Sequence, residues 1–193
     1  MPTHMTDAEL ITRCSKGDEA AFLTLYEQYS GGLYRFAYRI LGSRQMAEDV
    51  VQDCFESLIR NFRRFDPGRS ALRTYLFAAA RNLAGKQFRY FGEELDLEQV
   101  PDLPSESDDP LLHLLAEERS VAVRNAIAAL SPILREVLVL FEYEDLSIAE
   151  IAEIVASDPG TVKVRLHRAR QNMKKLLGSK IPCPIPVSSR EES

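Results

Sequence analysis

The residues from Leu146 to Arg170 constrain this chain more than any other stretch. Ile148, Ile151, Ala152 and Val155 recur at i, i+3, i+4 and i+7, which lays them along one face of a helix. Ser147 can cap that helix, and Glu150, three residues on, completes a reciprocal capping box. Ala156-Ser157-Asp158 interrupts the pattern. Asp158 then offers a second cap, and Pro159 brings a fixed φ suited to the first helical position. Two short helices joined by such a break form a helix-turn-helix.

The second helix of the pair is the informative one. Val162, Leu166, Ala169, Met173, Leu176 and Leu177 fall within one arc of its wheel and are expected to pack inward. Lys163, His167, Arg168, Lys174 and Lys175 take the other side, with Arg165 and Arg170 at the borders. Between Pro159 and Lys180 there are seven Lys and Arg and no Asp or Glu. A solvated helix gains from mixed charges at i,i+4. One stripped of acids has given up those pairs and suits a polyanion. A merely solvated basic face is the plain alternative, but the capped helix and tight turn directly upstream favour duplex DNA.

The overall charge of −5 conceals this pattern. Residues 1–92 hold 13 basic and 10 acidic groups, residues 93–120 hold 1 and 10, and residues 121–193 hold 10 and 9. Two neutral-to-basic blocks thus flank a strongly acidic connector. A chain of 193 residues allows one or two domains, and 45% hydrophobic content is enough for real cores. Cys14, Cys54 and Cys183 are odd in number and lack C-x-x-C spacing, so neither a disulfide framework nor a metal site is expected. Cys54, set among apolar residues, reads as a small core residue. With no early apolar run between basic flanks and no 18-residue apolar stretch, no signal peptide and no membrane insertion are expected, and a reduced, cytoplasmic protein is the default.

The rest of the chain is helical by its spacing. Residues 1–6 should fray, and Asp7 to Cys14 can form a short helix. Asp18 is a cap candidate for a helix from Glu19 to Leu41, with a break expected at Gly31-Gly32. Gly42 ends it, and Ser43 can start the next. That helix, from about Ser43 to Phe65, carries two apolar rows: Met46, Val50, Cys54, Leu58, Phe62 and Ala47, Val51, Phe55, Ile59. Its outer face begins with acids and ends with Arg60, Arg63 and Arg64, an order that suits the helix dipole. It reads either as a solvated face or as an acidic docking surface. After the Asp66-Pro67-Gly68 turn, Ser70 can cap a further helix with Leu72, Tyr75, Leu76, Ala79, Ala80 and Leu83 inward. Its far end, Arg81 to Phe91, interleaves bases, an amide and aromatics, a mixture that suits single-stranded nucleic acid or, equally, packing at a domain edge. Ser131-Pro132 opens another helix from Ile133 to about Tyr143, with Val137, Leu138, Leu140 and Phe141 apolar. No strand pattern appears. The expected fold is all-α, two helical domains (7–92 and 111–178) joined by a flexible acidic linker (93–110), with a Pro-rich, disordered tail (179–193).

These blocks resemble a known family. Leu130-Ser-Pro-Ile-Leu-Arg-Glu-Val-Leu-Val-Leu140, Leu146-Ser-Ile-Ala-Glu-Ile-Ala152 and Gly160-Thr-Val-Lys-Val-Arg-Leu-His-Arg-Ala-Arg170 look like region 4 of bacterial sigma factors, closest to the extracytoplasmic-function (ECF) class. Gly17-Asp-Glu-Ala-Ala-Phe22, Ala47-Glu-Asp-Val-Val-Gln-Asp-Cys-Phe55 and Ala80-Arg-Asn-Leu-Ala84 resemble region 2. The resemblance implies a transcription initiation subunit that binds core RNA polymerase and promoter DNA, needs no cofactor, and is held by an anti-sigma factor. It places the −35 duplex against Thr161, Lys163, Val164, Arg165 and Arg168, with His167 and Arg170 nearer phosphate. It places the melted −10 strand along the segment from about Arg69 to Arg89, at Arg73, Asn82, Lys86 and Arg89. It places the polymerase clamp on Glu48, Asp49, Gln52, Asp53 and Glu56.

Two positions and one three-residue run depart from the family pattern. Tyr75 takes the place of a usual Trp, Val164 stands where Ser is common, and Ala84-Gly85-Lys86 replaces a more acidic run. The rival readings are a conventional helix-turn-helix regulator with a helical interaction domain and an adaptor that mimics a sigma factor. The latter has no use for the basic helix. An enzyme is least supported: His4, His113 and His167 are scattered, and no phosphate loop, metal-ligand spacing or nucleophile motif occurs.

Overall fold

The computed structural model describes residues 5–62, 65, 68, 70–91 and 121–178, apart from the side chains of residues 88–91. The expected linker, the tail with Cys183, the Asp66-Pro67 turn, Arg63, Arg64, Arg69 and the side chain of Arg89 lie outside the described residues. All regular elements among those described are helices: α1 Asp7–Cys14, α2 Glu19–Leu41, α3 Arg44–Asn61, α4 Leu72–Phe91, α5 (residues 121–128), α6 Pro132–Glu142, α7 Ile148–Ile154 and α8 Pro159–Leu177. The chain divides into two compact units, with the boundary in sequence at residues 95–96. The first holds α1–α4; the second holds α5, α6, α8 and most of α7.

In the first unit α2 packs against α1, α3 and α4, and α3 packs against α4. Local chemistry sets the helix starts. Thr6 and Glu9 form a capping box that starts α1; residues 1–4, expected to fray, lie outside the described residues. Asp18 accepts the Ala21 N–H, and Ser43 accepts the Met46 N–H. Gly42, at φ 74°, closes α2 in the left-handed conformation that glycine adopts without a Cβ clash. Burial pushes up the pKa of Tyr29, helped by the 2.6 Å hydrogen bond it donates to Asp7 of α1. Cys54 is fully buried, and desolvation pushes its thiol up to about 12.

Several expectations fail here for physical reasons. Gly31-Gly32 does not break α2, which runs unbroken for 23 residues. Two mid-helix glycines cost about 1 kcal/mol each. Burial of Leu25, Leu33, Phe36 and Ala37 on either side offsets that, at about 1.5–3 kcal/mol for each large apolar side chain. α3 stops at Asn61 rather than Phe65, and Ile59, expected in the core, is 49% exposed. No acid occupies the first turn of α3, so the helix dipole does not account for its acids. α4 starts at Leu72 with the Ala71 carbonyl accepting the Tyr75 N–H, which leaves Ser70 one residue outside the cap position.

In the second unit α6 buries five consecutive residues, Val137 to Phe141, and forms the centre against which α8 lies. The Arg135 guanidinium donates to the carbonyls of Ala128 and Leu130 and so fastens the turn between α5 and α6. Ser147 and Glu150 form the capping box of α7. α7 ends in a Schellman motif, in which the Ser157 N–H bonds to the Ala152 carbonyl. Its left-handed position, φ 50°, is filled by Ala156. Asp158 then accepts the Thr161 N–H at 2.8 Å and starts α8, with Pro159 in the first turn. Val162, Leu166, Ala169, Met173 and Leu177 are buried. Leu176, expected inward, is 52% exposed; it lies at the edge of the arc in the last turn.

An alanine in the left-handed region carries a Cβ penalty that glycine lacks, of roughly 1 kcal/mol. Ala156→Gly is therefore expected to raise the unfolding midpoint of the full chain in a thermal melt. An unchanged or lower midpoint would show that the turn is unstrained.

Candidate nucleic-acid interface and docking face

The buried row of α8 dictates what its other side offers. Lys163, Val164, His167 and Arg168 are exposed, and Thr161 and Arg165 stand half-buried at the margins. The helix start is already occupied. Asp158 takes the Thr161 N–H and the Thr161 hydroxyl, and these two bonds hold its carboxyl below the usual range. The Thr161 hydroxyl, having spent its proton on Asp158, can only accept from a further partner. The remaining binding chemistry of α8 therefore lies in its side chains.

Arg170 is set apart from the other cations of α8. Its Nε and Nη2 both donate to Glu142 Oε1 of α6, at 2.9 and 2.7 Å, and its guanidinium lies 5.2 Å from the Phe141 ring centre. The two charged side chains are only 18% and 10% exposed. Such a pair fastens α8 to α6 at a defined rotation and spacing. The spacing of apolar residues could not signal it, because the partners are 28 residues apart.

On the first unit, the five residues nominated on α3 divide into two rows. Glu48, Gln52 and Glu56 line a groove of about 540 Å³ between α2 and α3, together with Phe22, Tyr26, Tyr34, Val51, Phe55 and Ile59. Asp49 and Asp53 are exposed outside it. The groove floor is aromatic: Tyr26 and Phe22 pack on Phe55 with ring centres 4.8 and 5.9 Å apart. Tyr26 and Ile59 remain 41% and 49% exposed. Gln52 and Arg60 both donate to Glu56, which orders the acidic rim. An apolar trough with an acidic rim is a docking face for a protein element with apolar and basic groups. The acids were visible in the sequence; the apolar part was not, because it is assembled from two helices.

On α4, Asn82 and Lys86 are exposed one turn apart, with Gly85 exposed beside them. Arg73 is not brought to that face. It lies about two and a half turns before Asn82, on the opposite side of the helix, its guanidinium is 5.9 Å from the Phe77 ring centre, and its charge acts on the Tyr29 hydroxyl of α2. Tyr75 packs edge-on against Phe65, with ring centres 5.4 Å apart. Among the described residues no cluster of His, Cys, Asp or Glu could hold a metal ion, and no helix is long and apolar enough to cross a membrane.

A helix-turn-helix with an acid-free outward helix, accompanied by a separate helical unit with a docking groove, defines a DNA-binding protein of two helical units. Comparison with known proteins makes the assignment specific. Residues 25–90 match the family model of sigma-70 region 2, and residues 120–173 match that of sigma-70 region 4. The chain is 31% identical over 177 residues to the ECF RNA polymerase sigma factor SigW of Bacillus subtilis, covering 86% of this chain and 94% of SigW. It is 29% identical over 177 residues to the ECF sigma factor BldN of Streptomyces coelicolor, covering 88% of this chain but 65% of BldN. The sigma factor RpoE of Bartonella quintana, solved in complex with the anti-sigma factor NepR, matches 83% of this chain and 98% of its own with a TM-score of 0.66 at 26% identity. The chain belongs to the ECF sigma factors.

Removing Glu142 takes away the oxygen that two Arg170 donors share in a largely buried site, at a cost of about 3 kcal/mol. Glu142→Ala is thus expected to lower the stability of the chain by that amount in denaturant titration. A loss below about 0.5 kcal/mol, the level of an exposed pair, would show that the bond carries no weight.

Proposed function

We propose that this chain directs core RNA polymerase to promoters, with its two units meeting DNA in two different states. Residues 111–178 form the unit for the −35 element, read as duplex in the major groove by Lys163, Val164, Arg165 and Arg168, with Thr161 at the helix start and His167 nearer phosphate. Arg170 serves this surface by positioning α8. Residues 7–92 form the unit for polymerase and the −10 element. Asn82 and Lys86, together with Arg89, would hold the melted strand, whose unstacked bases need pockets and cations rather than a helix in a groove. The groove of α2 and α3 would receive an apolar and basic element of the polymerase clamp, with Glu48, Gln52 and Glu56 as its rim and Asp49 and Asp53 beside it. Two modest contacts on one tether, residues 93–110, gain affinity once polymerase fixes their separation.

The observation that carries this reading is the presence, in one chain, of a helix-turn-helix with an acid-free outer face and a second unit with its own docking groove. A conventional regulator with a helical interaction domain would share both features, and the match of residues 25–90 to region 2 beside that of residues 120–173 to region 4 supports the sigma reading over it. The bound state of RpoE supports an antagonist of the anti-sigma kind for this chain as well. The work is that of a cytoplasmic DNA-recognition subunit, and bond-making belongs to the polymerase.

Two variants separate the two units. Arg168→Ala should reduce −35-dependent transcription severalfold while core affinity stays unchanged. Ile59→Lys, at an exposed groove position, should weaken core binding by about tenfold, equivalent to about 1.4 kcal/mol, while leaving the fold intact. Equal loss of transcription and core affinity in Arg168→Ala, or unchanged core affinity in Ile59→Lys, would reject the division of labour.

A further inference from the structure

Val164 occupies an unexpected place on α8. The buried residues Val162, Leu166, Ala169, Met173 and Leu177 mark the inner face of the helix. At about 100° per residue, Val164 points about 180° away from the middle of that row. The crest of the outward face is therefore an apolar side chain, 51% exposed in the second turn. Exposed Lys163 and Arg168 stand on its two sides, and exposed His167 follows in the next turn. One turn before it, Gly160 presents bare backbone; a Cβ there would lie 3.0 Å from the cap carboxylate oxygen Asp158 Oδ1. Val164 and Gly160 thus share the side of α8 farthest from its buried row.

A lone exposed valine is ordinarily unremarked. One at the crest of a helix whose outer side is otherwise cationic is placed where the bases would be. Valine can neither donate nor accept a hydrogen bond. Set against guanine O6 or cytosine N4, it would remove water from a polar group and return nothing. Thymine alone shows the major groove an apolar group, its C5-methyl. Resting on the duplex-reading role of α8, we propose that Val164 is a specificity-determining residue that selects thymine in the −35 element through contact with that methyl.

The test uses the full chain assembled with core polymerase and a duplex library randomised across the upstream element. Wild-type holoenzyme should enrich duplexes with thymine at a defined position, and Val164→Ser should lose that preference alone. Replacing that thymine by deoxyuridine, which has the same hydrogen-bonding groups without the methyl, should weaken wild-type binding about fourfold, the value of one buried methyl group. The same replacement should leave Val164→Ser binding within about twofold, below the value of that methyl. Val164→Thr, which keeps one methyl, should fall between. Enrichment without a Val164-dependent thymine, or deoxyuridine bound as well as thymine, overturns the proposal and leaves the sigma reading standing. Failure of wild-type holoenzyme to enrich any upstream sequence overturns both.

Discussion

The placement of every cation on α8 depends on how that helix lies against α6. Val162, Leu166, Ala169, Met173 and Leu177 decide which face goes under, but apolar burial is non-directional and tolerates small rotations and slides. The Glu142–Arg170 bond adds direction, because two N–H donors must converge on one oxygen. Well-packed apolar side chains could hold the two helices as firmly as an ion pair of this kind. What the pair supplies is geometry. A helix turned by a fraction of one residue would move Val164 off its crest and exchange it for His167 or Arg168.

The first unit solves a similar problem on α3. Val50, Cys54 and Leu58 go into the core, and this commits Glu48, Gln52 and Glu56 to the side facing α2. There they meet Phe22 and Tyr26, which α2 leaves only partly covered. Exposed apolar surface of this kind adds nothing to the fold of the unit itself, which is why a partner is the natural account of it. In both units the helix that carries the outward chemistry is held by an apolar row on its other side. The outward groups are thus positioned by residues buried on the opposite side of each helix.

Much of this was legible in the chain because the deciding chemistry is local. The caps at Asp18, Ser43, Ser147 and Asp158 involve partners three residues apart, and the core rows of α3 and α8 repeat at helical spacing. What escaped the sequence depends on partners far along the chain. Gly31-Gly32 reads as a break until the surrounding burial is counted. Ile59 and Leu176 sit at the edges of apolar arcs, where only the neighbouring helix decides between core and surface. The aromatic floor of the groove needs α2 and α3 together. Arg170 looks like one more cation of a basic helix until Glu142 is found beside it. Arg73 looks like a neighbour of Asn82 until their opposite faces are seen.

The central claim is that this protein acts on promoters as part of polymerase rather than alone. It is tested most directly by titrating the purified chain with core RNA polymerase and, in parallel, with free promoter-length duplex DNA. The account predicts submicromolar affinity for core and weak binding to DNA alone, since each unit makes only modest contacts and the gain comes from their joint placement. Tight binding to free duplex with no measurable affinity for core would contradict it.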